Sequence, residues 1–152
     1  MKIKKFEELK IWQLSLKITK EIYYLTNKKE FFKDFKLRDQ IRSAIISVSS
    51  NIVEGFEKNN NNEFIRFLKI AKGSAGEVKN QLHIALIVKY ISQKEFDKIN
   101  KELEDLANQI GKLISYLEKF KQRKNSQFVG LSTPQPDNPQ THKPITRKLV
   151  NS

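Results

Sequence analysis

The sequence contains no cysteine, which removes disulfides, thiolate metal sites and cysteine nucleophiles together. Proline is confined to Pro134, Pro136, Pro139 and Pro144. Nothing before Ser132 therefore carries the strongest helix breaker, and residues 1–120 are free to form long helices. No apolar run approaches the ~18–20 residues of a membrane span. The charged opening Met1-Lys2-Ile3-Lys4-Lys5 meets no apolar signal region, so the expectation is a cytoplasmic protein without a membrane partner. Histidine occurs only at His83 and His142. A di-iron bundle needs Glu-x-x-His on two helices, but His83 follows Asn80, and it reads as a packed residue at the core edge. There is no phosphate loop, nucleophile elbow or zinc spacing. The chain is expected to be no enzyme and to need no cofactor or metal.

What is present is charge and helical periodicity. Lys and Arg number 29 against 17 acids, a net +12 over 152 residues. Residues 121–152 hold +5 of this, which leaves +7 on residues 1–120. A basic protein of this size attracts polyanions; a lysine-rich composition, with Asn and Ile also abundant, is the plainer origin of the same charge. Strand-like alternation of useful length is missing. The expected architecture is all-α: an antiparallel up-down-up-down four-helix bundle over 1–120, followed by a disordered, basic, Pro-containing C-terminal tail over 121–152.

The last helix is marked by a capping box, Ser92-Gln93-Lys94-Glu95. Phe96, Ile99, Leu103, Leu106, Ile110, Leu113, Leu117 and Phe120 follow in alternating steps of three and four, the spacing of a bundle seam. Lys98/Glu102 and Lys101/Asp105 read as pairs on its solvated side. The third helix is expected to start in Asn59–Asn62, with Asn60 capping Glu63, and to end near Tyr90. Gly73 and Gly76 within it predict close approach of a neighbouring helix. The second runs from about Leu37 to Phe56 and the first from about Phe6 to Thr26, joined by a connector through Lys36.

The first two helices carry apolar residues on two sides. Leu9, Trp12, Leu16 and Tyr23 make one stripe; Leu14, Ile18, Ile22 and Leu25 make another nearly opposite. On the second helix Leu37, Ile41, Ala44, Ile45, Val48 and Ile52 face one way, and Ile46 and Val53 the other. Spare apolar faces mark association surfaces, so Leu14, Ile18, Ile22, Leu25, Ile46 and Val53 are candidates for a homo-oligomer interface. The alternative is a first helix that buries both faces within one chain.

Gln40, Ser47, Asn51 and Glu54 flank the core stripe of the second helix, and Ser74, Glu77 and Gln81 recur at helical spacing on the third. Polar groups at a core edge must find partners, which predicts an inter-helix hydrogen-bond network. These residues also carry a resemblance. Gln40-Ile41-Arg42-Ser43-Ala44, Ser47, Ser50-Asn51-Ile52-Val53-Glu54-Gly55 and Phe67-Leu68-Lys69-Ile70-Ala71-Lys72-Gly73-Ser74, with Glu77, Gln81-Leu82 and the opening Phe6-Glu7-Glu8-Leu9-Lys10-Ile11-Trp12-Gln13, resemble the 23S rRNA intervening-sequence family over about residues 5–120. The resemblance implies a small antiparallel bundle, typically a homopentamer, without known enzymatic activity. Some members of that family are encoded inside insertions of large-subunit rRNA genes. A distantly similar group assists a retroelement reverse transcriptase and is thought to bind nucleic acid. Ser43 stands where a second arginine is common, and the usual proline between the first two helices is missing.

Two functions remain open at this point. In the first, RNA or DNA is bound through phosphates by Arg38, Arg42, Arg66, Lys69, Lys72 and Lys79, the three lysines falling within roughly 80° of arc. In the second, the oligomer is a protein-interaction scaffold or accessory subunit that recruits another enzyme.

Overall fold

The computed structural model describes residues 2–129, with side chains through Phe120. Among the described residues the regular elements are all helical. A 3-10 turn at Phe6–Glu8 precedes α1 (Lys10–Thr26), α2 (Lys29–Lys33), α3 (Phe35–Glu57), α4 (Asn61–Ile87) and α5 (Gln93–Val129). None of these helices is long and apolar enough to cross a membrane. Residues Met1–Phe120 form one compact unit. The helix expected to stop near Phe120 runs on to Val129, and the remainder of the tail, with its four prolines, lies outside the described residues.

Helix boundaries follow local chemistry. The Glu8 carboxylate accepts from the amides of Lys4 and Lys5 at 3.0 and 3.3 Å, and Leu9 is extended. The first helix therefore starts at Lys10, later than the apolar pattern predicts. The expected connector folds into α2, which buries Phe31 completely. Asp34 secures this corner from both oxygens: Oδ1 accepts from the Leu37 amide at 3.1 Å, capping α3, and Oδ2 accepts from the Tyr90 hydroxyl at 3.0 Å. The Tyr90 ring lies 5.3 Å from that of Phe31. A capping carboxylate thus shapes the turn between α2 and α3.

The other caps match expectation. Asn60 Oδ1 accepts from Glu63 N at 3.1 Å, after Asn59 turns the chain at φ 51°. Ser92 and Glu95 exchange both bonds of the capping box, at 2.9 and 3.1 Å. At the end of α4, Tyr90 N donates to Ala85 O and Lys89 N to Leu86 O at 2.9 and 3.0 Å, a Schellman closure. Lys89 holds its left-handed position at φ 65°.

Ile18 and Ile22 of α1, Ile41, Ile45, Val48 and Ile52 of α3, Leu68, Val78 and Leu82 of α4, and Leu106 and Ile110 of α5 are fully buried in one core. Each such side chain contributes about 1.5–3 kcal/mol of transfer free energy. The α5 seam shifts at its end, with Ile114 buried where Leu113 is only half-buried.

On α1 the pattern-based assignment is reversed. Ile18, Ile22 and Leu25, expected at an oligomer interface, are core, and Leu14 packs against it. The inner face is Ile11, Ser15, Ile18, Ile22 and Leu25. Ser15 interrupts that stripe in sequence without exposing it, because its hydroxyl donates to Trp12 O at 2.6 Å; Thr26 does the same to Ile22 O at 2.8 Å.

Side-chain pairs tie the long helices together. Ser47 of α3 meets Ser74 of α4 at 3.0 Å. Lys17 and Glu21 of α1 pair with Glu102 and Lys98 of α5 at 3.6 and 3.0 Å. Lys69 and Lys79 of α4 pair with Glu118 and Glu104 of α5 at 3.6 and 3.0 Å. Glu102 and Lys98 thus face α1 rather than forming a purely solvated flank.

The glycines divide differently from the sequence expectation. A Cβ on Gly73 or Gly76 would meet nothing within 4 Å, so neither marks a close approach among the described residues. Gly55 does: a Cβ there would lie 2.7 Å from Phe67 Cβ and 3.1 Å from Phe64 Cδ1. Gly55→Ala should destabilise the chain by about 1–3 kcal/mol through overpacking. Gly73→Ala should stabilise it by roughly 0.5–1 kcal/mol through helix propensity. Urea unfolding of the two variants checks this; shifts of the same sign would contradict the packing described.

Candidate functional site

Three surfaces gather the residues of interest. The first is the polar flank of α3 and α4. Asn51 Nδ2 donates to Ser47 O and Ser47 Oγ at 2.7 and 3.0 Å, extending the Ser47–Ser74 pair into a network. Beside it opens a groove of about 550 Å³ lined by Asp39, Gln40, Ser43, Ala44, Ser47, Ser74, Glu77 and Gln81. Of the network residues expected from sequence, Ser47, Asn51 and Ser74 are hydrogen-bonded, and Gln40 and Glu77 line the groove. Glu54 is exposed and joins neither.

The second surface covers α1 and α3. Arg42 lies over the Tyr23 ring at 4.4 Å and donates through Nε to Thr26 Oγ1 at 2.8 Å and through Nη2 to Asn27 Oδ1 at 3.0 Å. This contact sets Trp12, Leu16 and Tyr23, which share a stripe of α1, beside Arg42, Ile46 and Val53, which share one of α3. Leu16 is 40% and Ile46 44% exposed, while Trp12, Tyr23 and Val53 are half-buried. Of the six residues expected at an interface, Ile46 is exposed and Val53 half-buried; Leu16 is exposed on α1, while Leu9 of the same stripe is buried.

The third surface runs between α4 and α5. Two hollows share Lys72, Ala107 and Asn108: one of about 390 Å³ reaches Gly76, Lys79 and Leu103, and the other, about 640 Å³, reaches Gly111, Lys112, Ser115, Tyr116 and Lys119. Together they form a trough with a floor of small residues and a rim of lysines. Lys79 is engaged by Glu104, and Lys69 nearby by Glu118. Lys72, Lys112 and Lys119 have no acidic partner among the described residues.

The expected basic row therefore divides. Lys69, Lys72 and Lys79 lie together on the α5 side of α4. The arginines are engaged elsewhere. Arg38 pairs with Asp39 at 2.8 Å, donates to Phe32 O at 3.1 Å and stacks over Phe32 and Phe35. Arg66 donates from Nε and Nη2 to Glu63 Oε2 at 3.2 and 2.9 Å and covers Phe67. Sequence reasoning missed Lys112, Lys119, Asn108 and Tyr116, since on α5 only the seam shows a periodic signal. His83 is exposed, with its ring 4.7 Å from that of Phe96. No cluster of three or more His, Asp or Glu side chains suited to a metal occurs among the described residues.

The family model for the 23S rRNA-intervening sequence protein matches residues 7–112, from the 3-10 turn into α5. The chain belongs to this family. Among solved structures, this 23S rRNA-intervening sequence family member is similar to a protein of unknown function from the S23 ribosomal protein family of Bacteroides thetaiotaomicron VPI-5482. The TM-score is 0.63 at 23% identity, over 68% of this chain and 97% of that one, a likeness that shows the fold. No curated protein matches the chain.

One electrostatic feature lies apart from these surfaces. At the α1–α5 contact, burial, a hydrogen bond with Glu21 and the charge of Glu21 together push Glu102 up to about 7. Burial also acts to raise Glu21, but hydrogen bonds from Glu102 and Lys98, with the charges of Lys98 and Lys17, outweigh it and hold Glu21 below its ordinary value. Of the two carboxyls Glu102 therefore holds its proton to higher pH. A raised carboxyl gives stability that is complete below its ordinary value of 4.5 and is lost as pH rises through about 7. Glu21 acts in the opposite sense, losing its contribution only as pH falls below its ordinary range. Replacing Glu102 by Gln keeps a donor to Glu21 without the charge. Melting curves of Glu102→Gln should lose the decline in Tm between pH 4.5 and 7 and lie above the wild type at alkaline pH. Parallel profiles would contradict a raised carboxyl at Glu102.

Proposed function

We propose that this chain is a non-enzymatic, self-associating antiparallel four-helix bundle that binds RNA or DNA through phosphates along the α4–α5 trough. The observation that carries this reading is the row of Lys72, Lys112 and Lys119, unpaired among the described residues, beside the small floor residues Gly76, Ala107 and Gly111. Small floor residues allow a sugar-phosphate chain to approach closely, and lysines neutralise it without reading sequence. From Leu103 to Lys119 the trough spans roughly 24 Å at 1.5 Å per residue, long enough to follow several phosphates of one strand. The family name, which refers to sequences within 23S rRNA, agrees with an RNA partner. The antiparallel arrangement is supported by the pairings: Lys69 and Lys79 ascend α4 as Glu118 and Glu104 descend α5, and Lys17 and Glu21 ascend α1 as Glu102 and Lys98 descend α5.

Phosphate binding predicts a salt-dependent affinity that weakens with each lysine removed. Lys72→Ala and Lys112→Ala should each lower the slope of log K against log salt by about 0.7–0.9, measured by fluorescence anisotropy on labelled single- and double-stranded RNA. Undetectable binding of the wild type at ~50 mM salt, where phosphate contacts are strongest, would sink the proposal.

Self-association is assigned to the α1–α3 surface, where Leu16 and Ile46 are each more than a third exposed. Ile46→Lys combined with Leu16→Lys should lower the mass measured by light scattering while leaving helicity intact. An unchanged mass would remove this face from the interface.

A further inference from the structure

Tyr116 is 64% exposed on α5, where it lines the larger hollow of the α4–α5 trough. Among the described residues no hydrogen bond or ring contact holds it. A broad aromatic face is therefore left to water instead of being packed into the fold. Its neighbours are cationic. Lys112 and Lys119 stand one turn before and one turn after it on the same face of α5, roughly 6 and 4.5 Å away along the axis. From α4, Lys72 reaches over the floor, since a Cβ on Gly111 would lie 3.6 Å from its Nζ. No acidic residue lines this hollow. Tyr24, at 72% exposure, has a different setting: Glu21 and Glu95 line its hollow between α1 and α5.

A ring flanked by ammonium groups can hold an unpaired base by its face and the adjoining phosphates by charge. The bases of a duplex are stacked on one another and offer no face to a side chain. Packed helices stand about 8–10 Å apart, so a furrow between them is one strand wide. A duplex, whose major groove alone is about 12 Å across, would rest on the rims. We propose that the trough takes a single strand, with one base stacked on Tyr116 and the adjoining phosphates on Lys72, Lys112 and Lys119. This rests on phosphate binding in the trough and adds to it the choice of single strand over duplex.

The test is fluorescence anisotropy of the full chain at low salt with three labelled probes. These are an unstructured single-stranded RNA, a duplex RNA of the same length, and an abasic strand that keeps the phosphates without the bases. The single strand should bind most tightly. Tyr116→Ala should weaken it about fivefold or more without changing the salt slope, and should leave the other two probes unaffected. Tyr116→Phe keeps the ring and should bind as the wild type does, and so should Tyr24→Ala in the other hollow. The wild type's preference for the single strand over the abasic one reads the same contact without any substitution. Equal wild-type affinity for those two strands, or undiminished binding of the single strand by Tyr116→Ala, overturns the stacking while salt-dependent phosphate binding stands. Binding of none of the three probes overturns both.

Discussion

Ser47 of α3 and Ser74 of α4 share a hydrogen bond 3.0 Å long, at a point where Ala44, Ala71 and Ala75 are also small and buried. Two helices can come this close only where neither presents a bulky side chain, and Gly55 against Phe67 extends the condition toward the α3–α4 turn. Most of the molecule's surface chemistry follows from this contact. It turns the isoleucines of α3 and the leucines of α4 into the common core on one side. It leaves the outer edge of the same seam as an acceptor-rich groove. With the Ser74 and Gln81 flank of α4 committed to α3, the flank bearing Lys72, Gly76 and Lys79 is presented to α5, where the lysine-rimmed trough forms.

Arginine and lysine are employed differently in this chain. Arg38, Arg42 and Arg66 each combine a side-chain hydrogen bond with a stacked aromatic ring, the use for which a planar guanidinium is suited. They brace the helix corners. Among the described residues no lysine of the trough is stacked on a ring, and some lack carboxylates to pair with. A flexible ammonium held away from acids is the group that a mobile phosphate chain can engage at little cost in local packing.

Much of the fold was legible because its signals are local. The Ser92/Glu95 capping box, the Asn60 cap and the three-four spacing of Phe96 through Ile110 depend on residues within a turn or two of each other. The two apolar stripes of α1 were both visible, but which of them faces the core depends on packing across helices: Ile18, Ile22 and Leu25 are buried, joined by Ser15, whose hydroxyl is satisfied by Trp12 O. The role of Gly55 was hidden because the crowding atoms belong to Phe64 and Phe67, across a turn. The Ser47–Ser74 network was visible as two polar stripes at a core edge. The trough was only half visible, since Lys112 and Lys119 acquire meaning once α5 is laid against Lys72.

The direct test of the phosphate trough is lysine footprinting by reductive methylation, read by peptide mass spectrometry, with and without a short RNA at low salt. Protection should concentrate at Lys72, Lys112 and Lys119 and leave Lys10, Lys20 and Lys36, on α1 and α3, reacting as in the free protein. Protection confined to α1 and α3, or spread evenly over all lysines, would contradict a binding surface between α4 and α5.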